Sequence, residues 1–405
     1  MTGLNNGCKA KKIPVAGETG MREGKDSGSS YEERRTTPVL FLLNMLDVGG
    51  SERKIVRIAN DLHRREYKIH LAYFNKPDYL RKDLDPDIPV VFLNRAGKVS
   101  MRALRRLKKY VRIQGITRII CVNLYPLLYG MTVAYLRGRQ DTSCVVLVNT
   151  TDLLGAKAPR LMTLYAPLLR RADKVVFGCE YQLEQWVNQY GLPKSKCEYI
   201  YNGVDVHWYS MAAGHAKDDL RRSLGLNAGD LVVGSVGVLR PEKQYKDLIR
   251  AVERLARNND SLRAVIVGDG PERVELERFV NDRDLKDKVV FLGEVLDVRP
   301  ILAIMDVFVL TSVTETFSNA ALEAMSMGKP VILTNIGGAQ EMVREGRNGY
   351  LYKKGNVDEL VVLLKRLLGD LELRGRLGEN ARRIVGEKFT FSRMVDQYEG
   401  LLRDI

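Results

Sequence analysis

The chain has 405 residues, 45% of them apolar, 28% charged and 7% aromatic, with a formal net charge of +14. That length can bury cores for two ordinary domains, and the composition excludes a fibre and a disulfide scaffold. The five cysteines, Cys8, Cys121, Cys144, Cys179 and Cys197, show no CxxC spacing, which points to buried thiols in a reducing, cytosolic setting and not to structural zinc.

Residues 1–37 are rich in Gly, Ser, Lys and Glu and have no apolar periodicity. They are expected to form a disordered tail, and they lack the apolar segment of a secretory signal. From Pro38 the run VLFLLNML reads as a strand buried on both faces of a parallel sheet. Gly49-Gly50-Ser51 follows, with Ser51 a candidate cap for a helix from Glu52 to His63. Leu71–Phe74, Val90–Leu93, Arg118–Val122, Cys144–Val148, Lys174–Gly178 and Cys197–Ile200 read as further strands separated by helical stretches. Ile119–Leu136 carries no formal charge, but Asn123, Pro126 and Gly130 interrupt it; it reads as buried strand, loop and helix, since a span needs about 20 apolar residues.

A second alternation begins near Asp230. LVVGSVGVL, LRAVIVG, KVVFLG, VFVLT, PVILT and YLYK read as strands, with helices at Tyr245–Arg257, Glu272–Asp282, Arg299–Met305 and Asn319–Met327. From Asp358 the chain reads as helical to its end, with a break around Phe389–Ser392. Strand–helix alternation of this kind builds parallel α/β sheets. The expected class is α/β, two Rossmann-like domains facing across a cleft, joined near Asn202–Tyr209. The domains span 38–205 and 206–388, with a last helix in 389–405. Ligands of such sheets bind beyond the carboxyl ends of the strands.

Charge is uneven between these parts. Residues 1–37 hold 7 Lys/Arg and 5 Asp/Glu (+2), residues 38–205 hold 27 and 15 (+12), and residues 206–405 hold 30 and 30 (zero). The first domain is therefore expected to meet an anionic partner. Within it, Ser100–Gln114 places Met101, Leu104, Leu107 and Val111 at helical spacing among six basic residues. This is either a helix lying on an anionic membrane or an ordinary surface helix with its apolar stripe turned inward.

The chemistry concentrates in VTETFSNAALEAMSMGKPVI, residues 313–332. Glu315 falls in the loop after a strand and Glu323 inside the next helix. Thr316, Phe317, Ser318 and Asn319 mark that helix's amino end, where free N–H groups and the dipole favour a phosphate. Glu315 is then placed for sugar hydroxyls and Glu323 for a ribose diol; the plain alternative is a capped helix with two surface glutamates. Lys243 and Arg240, in SVGVLRPEK, offer cations to a diphosphate, or are two solvated loop charges. Gly268 in the GDGP turn and Gly49-Gly50 at the first strand–helix turn each mark a close backbone approach or a plain tight turn.

Taken in order, DVGGSER, IYNGVD, GVLRPEK, VIVGDGPE, VVFLGEV, TETFSNAALEAMSMGKPVI and GGAQEMVREGRNGYLY resemble the family 4 glycosyltransferases over residues 38–405. The likeness is most specific in the second half. It implies the GT-B fold, retention of configuration, a nucleotide-sugar donor, and no metal. It also implies a carboxy-terminal helix returning to the first domain. By the same resemblance Glu315 contacts the donor sugar, Glu323 grips the ribose and Lys243 the diphosphate. Thr316, Phe317, Ser318 and Asn319 supply backbone contacts, Gly50 approaches the phosphate, and Val295 lies near the base.

Three positions depart from the pattern. Val238 stands where an arginine often follows the glycine, with Arg240 two residues on as its substitute. Thr316 replaces a glycine. Asn149-Thr150-Thr151-Asp152 stands where many members carry a histidine, so Asn149 and Asp152 are the acceptor-side candidates. The resemblance further implies a glycan or lipid-linked acceptor and a peripheral location on the inner face of the plasma membrane. A nucleic-acid-binding protein is the alternative from charge alone, but no recognised RNA or DNA motif accompanies the basic helix. An oxidoreductase lacks its GxGxxG turn. A nucleotide-sugar epimerase or a glycogen-type synthase shares the fold and stays open.

Overall fold

The computed structural model describes residues 37–405 except 48, 98, 139–140, 150–157 and 211–216. Residues 1–36 of the expected 1–37 tail, and the candidate Asp152, lie outside the described residues.

Two parallel sheets carry the molecule. The first contains β1 (Val39–Leu43), β2 (Ile69–Tyr73), β3 (Val90–Phe92), β4 (Arg118–Val122), β5 (Ser143–Val148), β6 (Lys174–Phe177) and β7 (Cys197–Tyr199), in the order β3-β2-β1-β4-β5-β6-β7. The second contains β8 (Leu231–Val236), β9 (Leu262–Val267), β10 (Val289–Phe291), β11 (Val307–Leu310), β12 (Val331–Thr334) and β13 (Gly349–Tyr352), in the order β10-β9-β8-β11-β12-β13. Each order is the doubly wound one, whose reversal beside the first strand opens a crevice at the strands' carboxyl ends.

Two-residue periodicity sorts β1 onto two cores. Leu40 and Leu42 join the cluster of Leu107, Ile119 and Val146, while Val39, Phe41 and Leu43 join Ile55, Leu71 and Ile120 on the other face. All five side chains are fully buried; continuous apolar runs suit a sheet covered on both sides. That second cluster also takes Met394, Val395, Tyr398, Leu401 and Leu402 from the last helix, Phe391–Asp404. Each such side chain contributes about 1.5–3 kcal/mol on burial. Tyr67 Oη donates to Glu399 at 3.0 Å, and Arg118 Nε donates to the carbonyl of Ile405 at 2.9 Å. The final helix is thereby part of the first sheet's core.

The connections between the halves cross side by side. Val204 N–H donates to the Phe389 carbonyl and Phe391 N–H to the Val204 carbonyl, both at 2.9 Å. Gly203 fits beneath this crossing because a Cβ there would lie 2.4 Å from the Thr390 oxygen.

Several local expectations need correction. The first helix begins at Gly50 and runs to Arg64 with Gly49 as its cap, so Ser51 is inside it. The carboxy-terminal helical region breaks twice, because Asp370 caps a new helix at Leu371 after the one ending at Leu368. In the basic helix, Met101–Ile113, the buried stripe is Ala103, Leu107 and Val111, whereas Met101 is 57% exposed. Ile119–Leu136 does form strand and helix, and no helix of the described residues is long and apolar enough to cross a membrane.

Candidate active site

A cavity of about 880 Å³ opens between the sheets at their carboxyl ends, a size that suits a small ligand. It brings together Gly49, Gly50, Arg240, Gly268, Val295, Asn319 and Glu323 from the sequence-derived set, and adds Arg53, Lys54, Arg57, Trp208 and Tyr209. Gly50 and Asn319 confront each other across it: a Cβ on Gly50 would lie 3.8 Å from Asn319 Nδ2.

The loop after β11 is fixed from several sides. Ser318 caps the helix Asn319–Ser326, its hydroxyl accepting from Ala321 N–H at 3.3 Å, so the serine side chain is committed to the fold. Phe317 is buried with its ring stacked on Tyr201, centroids 4.9 Å apart, and edge-on to Phe389. Its carbonyl accepts from Asn202 Nδ2 at 2.8 Å. The Thr316 carbonyl accepts from Gly338 N–H at 2.8 Å, and Gly178 packs under the Thr316 methyl, 2.8 Å from where its own Cβ would stand. The Ser318 hydroxyl and the Phe317 and Thr316 carbonyls are therefore engaged within the fold.

Glu315 and Lys243, paired in the sequence reading only by role, are in direct contact: Lys243 Nζ donates to Glu315 Oε2 at 2.6 Å. Both side chains are 22% exposed, and charge-assisted bonds of this kind are about twice as strong as neutral ones. Arg240 is more open and faces Glu242 at 3.9 Å. Val238, at the position of the missing arginine, lines the cavity and is 42% exposed.

Glu323 sits one turn inside its helix with its carboxyl buried. Desolvation pushes it up to about 7, against a hydrogen bond from Tyr209 and the fields of Arg57 and Arg53. An acid held there titrates near neutrality, and perturbation of this kind concentrates at functional sites.

Two glycines have local packing reasons. Gly268, at φ +128°, lies where a Cβ would meet the Gly237 oxygen at 2.0 Å, so the GDGP turn props up the GVLR loop. At Gly49 a Cβ would lie 2.3 Å from Glu52 Oε2. The Glu52 carboxyl folds back over the helix's amino end, and burial raises its pKa.

Asn149 does not line the cavity but reaches it through a lysine. Lys54 Nζ donates to Asn149 Oδ1 at 2.8 Å and to Asn202 Oδ1 at 3.1 Å. Sequence reasoning passed over Arg53, Lys54 and Arg57. Their signal was present: in SERKIVRIA the apolar residues Ile55, Val56, Ile58 and Ala59 are buried, which turns the three basic residues away from the core. Tyr209 and Trp208 carried no comparable pattern. The basic helix Met101–Ile113 contributes nothing to the cavity's lining.

Comparison with known proteins agrees with this geometry. Residues 48–208 match the family described as Glycosyltransferase Family 4, and residues 216–384 match Glycosyl transferases group 1. The chain is 26% identical over 374 residues to N-acetyl-alpha-D-glucosaminyl L-malate synthase of Bacillus anthracis, covering 88% of this chain and 94% of that one. It is 34% identical over 215 residues to the UDP-Gal:alpha-D-GlcNAc-diphosphoundecaprenol alpha-1,3-galactosyltransferase of Escherichia coli, covering 52% and 54%. Among solved structures it superimposes on HepE of Anabaena, determined in complex with UDP, with a TM-score of 0.80 at 24% identity, over 91% of this chain and all of that one. With both halves matched in order and the two sheets closed over one cavity, the chain belongs to the family 4 glycosyltransferases of the GT-B fold.

Proposed function

We propose that the protein transfers a hexose-type sugar from a nucleotide-sugar donor, a UDP-sugar in preference to a GDP-sugar, to a glycan or lipid-linked acceptor with retention of configuration and without a metal. The observation that carries this reading is the Lys243–Glu315 pair beside a cavity that also holds Glu323 and the Gly50–Asn319 approach. Support for uridine comes from the UDP and UDP-glucose complexes of Anabaena HepE, and support for a lipid-linked acceptor from the Escherichia coli relative's name.

In this mechanism Glu323 accepts the ribose diol, and Lys243, Arg240 and the N–H groups at residues 316–319 stabilise the diphosphate as the anomeric bond breaks. Preorganised positive potential of this kind is the largest single contribution in many such reactions. Displacement is front-side and oxocarbenium-like, with the leaving phosphate accepting the acceptor's proton. Glu315 positions the sugar and is not a nucleophile. Trapping a covalent sugar–enzyme species on any carboxylate would overturn the scheme.

A lipid-linked acceptor places the enzyme at the cytoplasmic face of a membrane. The exposed face of Met101–Ile113 (Met101, Arg102, Arg105, Lys108, Lys109 and Arg112) fits peripheral contact with anionic lipid. Anionic vesicles at low salt should retain the protein, and failure to do so removes this part of the reading. The donor site is tested by thermal shift against UDP, GDP, ADP and their sugar conjugates, with and without EDTA, on the wild type and Glu323→Ala. Stabilisation by one nucleotide family, indifferent to EDTA and lost in the variant, is expected; no shift with any nucleotide refutes the donor site.

A further inference from the structure

Among the described residues, the first helix presents to the cavity a lysine with no acidic side chain in contact. Lys54 Nζ is held by two neutral amides, Asn149 Oδ1 at 2.8 Å and Asn202 Oδ1 at 3.1 Å, and among the described residues no carboxylate lies within ion-pair distance of it. An ammonium group has three donors, and the described residues take two of them. The side chain lines the same cavity as Gly50, Arg240 and Glu323. Burial pulls its pKa down to about 8, against the opposing field of Glu52. A charge taken out of water without a counter-ion is costly, and that cost is offset when an anion arrives.

The two amides also aim it. Asn202 accepts from Lys54 through Oδ1 and donates through Nδ2 to the Phe317 carbonyl at 2.8 Å. The lysine is thereby registered to the loop whose N–H groups face the phosphate in the proposed mechanism. Asn149 is itself anchored, its backbone N–H donating to Asn123 Oδ1 at 2.9 Å, and its Nδ2 is buried without a partner among the described residues.

We propose that Lys54 binds the donor's diphosphate from the amino-terminal side of the cleft, as the counterpart of Lys243 and Arg240 on the other side, with Asn149 and Asn202 holding its ammonium in place. The assignment rests on the nucleotide-sugar reading and adds a residue to it. Neither the nucleotide base nor the ribose is expected to touch this side chain.

The test is calorimetric titration of the full chain, as wild type, Lys54→Met and Glu323→Ala, with the mono- and diphosphates of uridine, guanosine and adenosine. Lys54→Met should weaken the preferred diphosphate about ten- to hundredfold, the worth of a charged hydrogen bond, and change the monophosphate of the same base less than about twofold. Lys54→Arg should recover part of the loss. Equal loss of mono- and diphosphate would make Lys54 a scaffold residue, and unchanged diphosphate binding would remove it from the site; either overturns the inference. Glu323→Ala separates this from the wider reading: if wild type binds a diphosphate and Glu323→Ala does not, the donor site stands whatever Lys54 does. If wild type binds none, both fall.

Discussion

Glu323 makes the proposed donor site pH-dependent in a direction that can be worked out. Its carboxyl lies at about 7 because burial outweighs Tyr209 and the two arginines. Ribose hydroxyls donate to a carboxylate and favour its ionised form, so binding lowers this pKa and releases a proton. Affinity therefore rises with pH while the free protein still holds the proton, and levels off above about 7. If the bound pKa returns to the ordinary 4.5, two-state linkage gives a gain of about fifteenfold between pH 5.5 and 7, or about 1.6 kcal/mol. A nucleotide sugar is the proper ligand, because its diphosphate is fully ionised throughout this range. The assay is calorimetric affinity in buffers of different ionisation heat, which also counts the proton released. Glu323→Gln should bind more weakly and show a flat profile over the same interval. A flat wild-type profile, or a slope that persists in the glutamine variant, would refute the assignment of Glu323 to the ribose.

Three further outcomes follow from named contacts. Glu315→Gln keeps the shape of the Lys243 contact but removes its charge, and should lower kcat about a hundredfold or more while affinity for the nucleotide sugar changes little; full turnover would exclude Glu315 from the reacting centre. Glu341 accepts from the N–H groups of Glu180 and Tyr181 at 3.0 and 2.8 Å, capping a helix of the other half, so Glu341→Ala should cost about 1 kcal/mol and speed amide exchange at 180–181, while unchanged exchange there would show that the cap carries no weight. Gly203→Ala drives a Cβ against the Thr390 carbonyl and should cost about 1–3 kcal/mol, read as a lower Tm and easier proteolytic release of the last helix; an unchanged Tm would mean the crossing relaxes freely.

The sheets were legible because their strands are short apolar runs with turn residues between them. Arg118–Val122 is placed to the residue, and most others within two. Helix ends were harder, since Gly49 has no side-chain oxygen to mark it as a cap and Ser51 drew the expected start two residues too late. The candidate residues on the second sheet could be picked out because Glu315, Glu323 and Lys243 belong to one ordered pattern. The residues that face them were not. Tyr209 meets Glu323 within the second half and Asn202 meets Lys54 within the first, each pair more than a hundred residues apart in the chain, and no local period encodes so distant a contact. The basic helix failed in a different way: amphipathic spacing named Met101 for the buried stripe, but a residue at the helix's first position is left outside the packed surface and Ala103 takes its place.

The Lys243–Glu315 contact bears on the order of events in the proposed reaction. The two groups now satisfy each other at 2.6 Å, and the Glu52 carboxyl similarly lies over the amino end of the first helix. A diphosphate entering between them competes with both carboxylates for the same donors. It draws Lys243 toward the phosphate, which leaves Glu315 oxygens free to accept from sugar hydroxyls, and it favours displacement of Glu52 from the helix end. Recognition of the diphosphate is thereby coupled to recognition of the sugar through one exchanged partner. A nucleoside diphosphate alone frees Glu315 without supplying hydroxyls to it, whereas the intact nucleotide sugar supplies both. Glu315→Gln should therefore reduce the preference for nucleotide sugar over nucleoside diphosphate, because the glutamine no longer needs Lys243 to neutralise it. Equal preference in wild type and variant would mean that the two recognitions are independent and that the pair is only a structural contact.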